Sequence, residues 1–350
     1  MELGGGLWVH TAQSFEEKSS SFFFRFLFQA LPYFRIHFRT EEERPRVVIL
    51  LGPTGIGKSK LAIELAEAFG GEILSADSMQ VYRYLDIGTA KPSPEERKRV
   101  RHHLIDLVYP DQPFHADLYR ILGRKTIDQL HRDHQPIWVV GGAGLYIKTL
   151  TQGLFPSPKI DPKIREGLKQ ESKEKGGAFF FERLSRVDPK AASQLHPHDL
   201  FRILRALEVF DCTGVPISFL REQHRFGERP YVTLKIGLEM GRKALFDRIE
   251  QRVDHMIEQG FLQEVESLMG MGYGAGLKPM QSLGYKQMVQ FVLKKMEWDE
   301  AVRQMKRDTR HYAKRQWTWF KADQEVCWYD GSVAREEIFR EVRSFLKGGG

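Results

Sequence analysis

At 350 residues and 40.6 kDa, with 41% hydrophobic residues, 28% charged residues and a mean hydropathy of -0.42, the chain is long enough for one substantial core and a smaller lobe, which excludes bulk disorder. A net charge of +7 and a pI near 9.2 favour a polyanionic partner, because clustered Lys and Arg release counterions when they meet phosphates. The two cysteines, Cys212 and Cys327, stand far apart and in no CxxC pattern, which excludes a disulfide framework or a cysteine zinc site, fits a reducing, cytoplasmic setting, and reads as two small buried hydrophobes.

Residues 1–44 stand apart from the rest. The stretch FFFRFLFQALPYFRIHF, residues 22–38, is aromatic-rich, but Arg25, Pro32, Arg35 and His37 interrupt it, and it falls short of the ~20 apolar residues of a membrane span. Glu16 and Glu17 precede it and no small-residue cleavage site follows, so neither a transmembrane helix nor a secretory signal is expected. The expectation is a poorly ordered extension outside the fold, with no stable membrane association.

Arg46 to Leu51 (RVVILL) is a continuous β-branched run, the pattern of a strand buried on both faces of a parallel sheet, and it leads straight into GPTGIGKS. From Lys60 the apolar residues Leu61, Leu65, Ala68 and Phe69 recur at helical spacing, and Gly70 with Gly71 ends that helix. A second strand over 72–76 delivers Asp77 at its carboxyl end, 116–132 predicts a helix, and PIWVV at 136–140 predicts another buried strand stopped by Gly141 and Gly142. From 161 the texture becomes helical and charge-laced, YVTLKIGL at 231–238 returns to strand, and helices fill most of the remainder.

Strands alternating with helices imply an α/β fold, a P-loop NTPase-like parallel sheet core with a helical insertion domain. The division expected is 45–160 for the first part of the core, 161–234 for the insertion, and 235–345 for the second part with its basic C-terminal helices. Ligands of such sheets gather at the carboxyl ends of the strands, so Asp77 and the turn at 141–144 are expected to share one crevice with the first glycine loop.

The loop Gly52, Pro53, Thr54, Gly55, Ile56, Gly57, Lys58, Ser59 fits GxxxxGK[ST] in full. Its glycines let backbone N–H groups close round phosphate oxygens, Lys58 supplies a point charge, and the Ser59 hydroxyl is suited to Mg²⁺. A nucleotide hydrolase of this class is expected to end a later apolar strand in an Asp that orients metal and water, whereas PIWVV runs into GGAGLY. Asp77 has two readings, a base that accepts a proton from an attacking amine or a cap on a helix starting near Ser78.

Near the C-terminus, Arg303, Arg307, Arg310 and Lys314 follow helical spacing and predict a basic stripe, with Trp317, Trp319 and Phe320 available to stack on exposed bases. A solvated helix face with its own core aromatics fits the same spacing. The adjacent His102 and His103 do not share a helix face, and His196 and His198 flank Pro197, so no metal is assigned to them.

The motifs GPTGIGKS, DSMQVYRYLDIGTAKP, HHLIDLV, GGAGLYIK, HPHDLFRILRALEVF, PMQSLGYKQM and TRHYAKRQWTWF, in this order, resemble the tRNA dimethylallyltransferase family, and the similarity spans residues 47–320. The resemblance implies transfer of a dimethylallyl group from dimethylallyl diphosphate to N6 of adenosine-37, next to the anticodon of tRNA, with release of diphosphate. It implies that Thr54 to Ser59 grip the diphosphate with Mg²⁺ at Ser59, that Arg252 assists, and that Asp77 is the general base, with Lys58 and Thr54 also in the catalytic set. The tRNA-facing positions it implies are Asp77, Ser78, Met79 and Gln80; Ala143; Arg165; Phe201, Arg202, Ile203, Leu204 and Arg205; Gln281, Ser282, Leu283, Gly284, Tyr285 and Lys286; and Lys314, Arg315, Gln316, Trp317, Thr318, Trp319, Phe320 and Lys321.

The family usually carries threonine in GGTGLY where this chain has Ala143, so a hydroxyl near the reacting base is missing, leaving a water or a neighbouring group to replace it. A monomer with tRNA and dimethylallyl diphosphate as partners is expected, and the loop leaves open whether ATP also binds there. Three other readings stay open: prenylation of free adenine nucleotides as in similar plant proteins, a P-loop kinase, and an RNA-binding module with an idle loop.

Overall fold

The computed structural model describes residues 43–154, 161–224, 227–331 and 333–348, so the aromatic stretch at 22–38 lies outside the described residues. Every element named below belongs to the contact unit Pro45–Gly350. The first strand, β1 (Arg46–Leu51), alternates as strand geometry requires: Val47, Ile49 and Leu51 enter one hydrophobic cluster and Val48 and Leu50 the other. A strand with water on neither face is a central strand, and β1 indeed lies inside the sheet.

The sheet also contains β2 (Glu72–Ala76), β3 (His102–His103), β4 (Ile137–Gly141), β5 (Val232–Glu239) and β6 (Val326–Asp330), in the order β3-β2-β4-β1-β5-β6. All five pairings are parallel. One consequence fixes the site: Leu51 is in register with Gly141, and Gly141 with Ala76, so three chains leave the sheet at one level on adjacent strands. Strands lie about 4.8 Å apart, which puts the departure points of Gly52 and Asp77 about 10 Å from each other with the β4 turn between them.

Helices cover both faces. The first helix, α1 (Lys58–Phe69), begins two residues earlier than the apolar spacing predicts and buries Leu61, Ala62, Ile63, Leu65 and Ala66 against the side of the sheet that holds Val48 and Leu50. A short α2 (Pro94–Arg99) follows, closed by a reciprocal Ser93 and Glu96 capping box. The helix α3 (Ala116–Arg132) keeps the predicted bounds, and with α4 (Gly144–Gln152) it packs on the other face through Tyr119, Ile127, Leu130, Tyr146, Ile147 and Leu150.

The segment between β4 and β5 forms a helical lobe of α5 (Pro162–Val187), α6 (Pro189–Ser193), α7 (Leu200–Thr213) and α8 (Ile217–His224). It has its own apolar cluster, with Phe180, Leu184, Ile203 and Leu207 at its centre. Gly176 at φ 74° divides α5 into two helical stretches, a break that a residue with a Cβ would resist.

Beyond β5 come α9 (Arg242–Glu258), α10 (Phe261–Gly270), α11 (Tyr285–Val292), the 24-residue α12 (Trp298–Lys321) and α13 (Arg335–Leu346). The edge strand β6 (VCWYD) adds a strand to the mostly helical remainder, with Val326 buried, Trp328 and Tyr329 half-buried, and Cys327 and Asp330 exposed. Cys327 lies on that edge and is exposed, and Cys212 is half-buried, so neither is the buried hydrophobe the sequence suggested.

Candidate active site

The phosphate-type loop takes the conformation its glycines permit. Gly55 and Gly57 adopt φ of 82° and 104°, in the left-handed region that a side chain would strain, and this turns the N–H groups that precede α1 inward. Lys58 folds back and donates to the Pro53 carbonyl at 2.9 Å. Burial above all, and then the Arg252 guanidinium, hold its ammonium down to about 7, while Asp77 pulls in the opposite direction. Lys58, Arg252 and Asp77 are thus electrostatic neighbours, which places the weakest of the sequence-based diphosphate candidates, Arg252, beside the strongest.

A cleft of about 1330 Å³ opens here, lined by Gly55, Gly57, Lys58, Ser59, Arg248 and Arg252 on one side and by Arg83, Lys91 and Arg97 on another. Arg248 was not foreseen, although it sits one helical turn from Arg252 on α9, a spacing that puts both on one face. Its guanidinium reaches toward the Ile56 carbonyl at 3.5 Å. Lys91 is engaged by Asp86 and Asp106 at 2.6 and 2.7 Å, and Arg97 by Asp106 at 2.8 Å, so those two cations shape the wall through ion pairs.

Asp77 does not cap a helix, because residues 78–90 hold bends, turns and a single bridge of Tyr82 with Val108 and no helix. Its Oδ1 instead accepts the backbone N–H groups of Met79 at 2.8 Å and Gln80 at 3.3 Å, which fixes the carboxylate and leaves Oδ2 for other chemistry. The β4 turn is tied to the same point, since the Ala143 N–H donates to the Ala76 carbonyl at 3.0 Å. Two phenols feel the carboxylate's charge: desolvation first, then Tyr82 and Asp77, raise Tyr146 far above the usual range, and desolvation followed by Asp77 raises Tyr312 to about 12. They remain protonated at any physiological pH and act as donors.

Gln316 corrects the sequence reading in an instructive way. It is buried on α12, its Oε1 accepts the Thr54 N–H at 2.9 Å, and its Nε2 donates to the Gly142 carbonyl at 2.9 Å. A Cβ on Gly142 would lie 2.1 Å from that Nε2, so the close approach requires glycine. Gln316 therefore joins the phosphate loop to the β4 turn and presents nothing to an incoming nucleic acid.

Four other positions expected at a tRNA surface are buried as well. Phe320 packs into the main core because it continues the inward face of Met305, Thr309, Ala313 and Gln316. Tyr285 donates its hydroxyl to Glu264, Gly284 is enclosed by Phe261 and Met305, and Ile203 is central to the lobe. Gln80 is half-buried with its side chain committed: its Oε1 accepts from the Ser75 hydroxyl and its Nε2 donates to the Thr89 and Ala90 carbonyls.

Other expected positions are open to solvent. Phe201 is 84% exposed and Trp319 47%, with Arg202, Gln281, Lys286, Lys314, Arg315, Thr318 and Lys321 also exposed. Ser78, Met79, Ser282, Leu283, Leu204 and Trp317 are half-buried. Trp319 closes over Gly144, where an added Cβ would meet its indole at 2.2 Å, so an exposed aromatic rims the β4 turn. The basic stripe of α12 is largely spoken for by ion pairs, Arg303 with Glu300, Arg307 with Asp308 and Arg310 with Glu250. On the lobe, Arg165 and Arg205 both hold Glu208, and Arg202 pairs with Asp199.

The Ser59 hydroxyl is exposed on the cleft wall beside Lys58. Among the described residues no group of three or more His, Cys, Asp or Glu side chains could hold a metal. One hydroxyl next to a phosphate cradle fits a divalent ion that takes most of its ligands from substrate phosphates and water, as Mg²⁺ does.

Residues 80–323 match the family model described as IPP transferase. The chain is 49% identical over 306 residues to tRNA dimethylallyltransferase 2 of Syntrophus aciditrophicus, covering 87% of this chain and 98% of that one. It is 52% identical to tRNA dimethylallyltransferase of Syntrophobacter fumaroxidans over 87% and 89% of the two chains. Among solved structures it is similar to the tRNA isopentenylpyrophosphate transferase of Bacillus halodurans, with TM-score 0.66, 35% identity and coverage of 87% and 98%. It is also similar to a eukaryotic dimethylallyltransferase acting on tRNA, with TM-score 0.77, 27% identity and coverage of 87% and 80%.

Proposed function

The chain belongs to the IPP transferase family, the tRNA dimethylallyltransferases, and from that premise we propose how its own residues carry the activity. It transfers a dimethylallyl group from dimethylallyl diphosphate to N6 of adenosine-37 in tRNA and releases diphosphate. The observation that supports this assignment of residues is the common level at which Gly52, Gly142 and Asp77 leave three adjacent parallel strands.

The diphosphate lies in the loop from Thr54 to Ser59, with Lys58, Arg252 and Arg248 around its oxygens. The N6 lone pair attacks the primary allylic carbon, the carbon–oxygen bond to diphosphate breaks, and Oδ2 of Asp77 takes the proton that the amine sheds. Negative charge grows on the departing oxygens, where preorganised N–H groups and cations lower the barrier. Mg²⁺ held at Ser59 and the phosphates would add neutralising charge to the leaving group. The adenine reaches Asp77 out of the anticodon-loop stack, as a base must when chemistry is done on it.

The exposed Phe201, Arg202, Trp319, Lys314 and Arg315 are assigned to the tRNA, and the net charge of +7 supports a nucleic-acid partner. The enzyme is assigned to the cytoplasm and acts as a monomer. No described helix is long and apolar enough to cross a membrane.

Incubation of the purified protein with labelled dimethylallyl diphosphate and unmodified tRNA, followed by nucleoside mapping, tests the assignment. Label on N6 of adenosine-37 supports it. Label on free AMP in preference to tRNA, or ATP consumption without prenyl transfer, removes it.

A further inference from the structure

The chain passes between the sheet-bearing core and the helical lobe twice, and both passages meet at Glu228. The outgoing passage begins at Gly153, which ends α4 with φ 76°, and the next residue, Leu154, already packs on the lobe's apolar cluster. The returning passage runs from His224, the last residue of α8, to Tyr231, which is buried in the main core. Glu228 lies between those two.

A single carboxylate joins these parts. Oε2 of Glu228 accepts from Nη1 of Arg124 on α3 at 2.5 Å, and Arg124 also donates to the Leu150 carbonyl in the last turn of α4 at 3.2 and 3.3 Å. Oε1 meets Nε2 of His224 at 3.2 Å. The same oxygen lies against Gly153, where an added Cβ would come within 2.1 Å of it, so the carboxylate reaches the outgoing passage only because that residue is glycine.

Ion pairs on an open surface contribute little, but this one is partly enclosed, with the Arg124 side chain 21% exposed and that of Glu228 29%. Against the effect of burial, the charge and hydrogen bond of Arg124 and the bond to His224 hold the Glu228 carboxyl below its usual range, so it is ionised at neutral pH. Other ion pairs of the lobe, such as Arg165 with Glu208 and Arg183 with Asp211, stay within it and fix its internal packing.

We propose that Glu228 is a positioning residue for tRNA, its carboxylate latching both passages so that Phe201 and Arg202 of the lobe stand at one fixed distance from the Asp77 crevice. The role rests on the reading that lobe and crevice grip the same tRNA. Two sites joined rigidly at the correct span bind one ligand more tightly than two joined loosely, because the second contact is made at high effective concentration. The latch therefore acts on tRNA affinity and leaves the chemistry at the phosphate loop alone.

The test uses the full chain. Glu228→Ala should raise the dissociation constant for unmodified tRNA by about 5- to 50-fold, with inorganic diphosphate affinity kept within about twofold and single-turnover transfer at saturating substrates within about threefold. Arg124→Ala should do the same, and the double variant should be no weaker than the worse single one, since both cut one tie. Spin labels on the exposed Cys327 and on Ser193→Cys, in a Cys212→Ser chain, should report a broader core-to-lobe distance distribution once Glu228→Ala is added. A merely structural glutamate would lower the saturated rate and both affinities together. Wild-type tRNA affinity, a parallel fall in diphosphate affinity or saturated rate, additive losses, or an unbroadened distribution would each overturn the proposal. If Phe201→Ala and Arg202→Ala leave tRNA affinity intact, the lobe is no tRNA surface and the reading itself falls; if they weaken it and Glu228→Ala does not, the latch alone falls.

Discussion

The side chain of Gln316 accepts the backbone N–H of Thr54 at 2.9 Å, joining the last long helix to the phosphate loop. Since the same carboxamide donates to the Gly142 carbonyl, Gln316→Leu would strand a donor and an acceptor in a buried place, each worth about 1–3 kcal/mol. The thermal midpoint should fall by several degrees, and inorganic diphosphate should bind more weakly because Thr54 is no longer held. Gln316→Glu keeps the acceptor for Thr54 and loses the donor for Gly142, so it should lie between. A leucine variant with unchanged melting and unchanged diphosphate affinity would show that the bridge carries no weight.

Lys58 gives a pH signature. Its ammonium, held at about 7 in the ligand-free protein, is charged below that pH and increasingly neutral above it. An arriving diphosphate favours the charged form and pulls the value up, so binding above pH 7 takes up a proton, and affinity declines as pH rises from 7 toward 9. Lys58→Arg stays charged throughout and should lose that component. Calorimetry with inorganic diphosphate at pH 8, in two buffers of different ionisation enthalpy, reads the proton count. Wild type should exceed Lys58→Arg by up to about one proton, a difference free of the ligand's own protonation. Equal counts would mean that Lys58 is already charged at that pH.

Asp77→Asn preserves the oxygen that accepts from Met79 and Gln80, so the turn should survive and the thermal midpoint should not move. Loss of a positioned base should lower single-turnover transfer by about 10²–10⁴-fold while tRNA still binds. Measured in parallel, tRNA affinity and transfer rate must part company. Turnover near wild type would assign the proton to another acceptor.

What could be read from the sequence was whatever depends on short range or on a topological rule. The glycine spacing of the loop and the apolar run of β1 are local, and the level meeting of Gly52, Gly142 and Asp77 follows from parallel strands ending together. Gln316 was not legible as a bridge, because its partners Thr54 and Gly142 are far away in the chain. Phe320 was legible but misread: Ala301, Met305, Thr309, Ala313, Gln316 and Phe320 recur at helical spacing and mark the inward face of α12. The pairing of Arg310 with Glu250 likewise needs the packing of α12 on α9, which no local pattern specifies.

That pairing changes which residues should matter for tRNA. Arg310 is already neutralised by Glu250, whereas Phe201 projects from the lobe at 84% exposure with Arg202 beside it. An aromatic ring stacked on an unpaired base contributes about 1–3 kcal/mol, so Phe201→Ala should weaken anticodon stem-loop binding by roughly 5- to 150-fold without changing the thermal midpoint. Arg202→Ala should flatten the dependence of log affinity on log salt by about 0.7–0.9 if it meets one phosphate, and Lys314→Ala should do the same. Arg310→Ala should change that slope less than either, because its side chain is 29% exposed and held by Glu250, whereas the Arg202 side chain is 65% exposed even with its surface pair to Asp199. Filter binding across a salt series with the three variants decides the matter: a larger slope change for Arg310 than for Arg202 and Lys314 would put the tRNA backbone along α12 beside Glu250 and take it off the lobe.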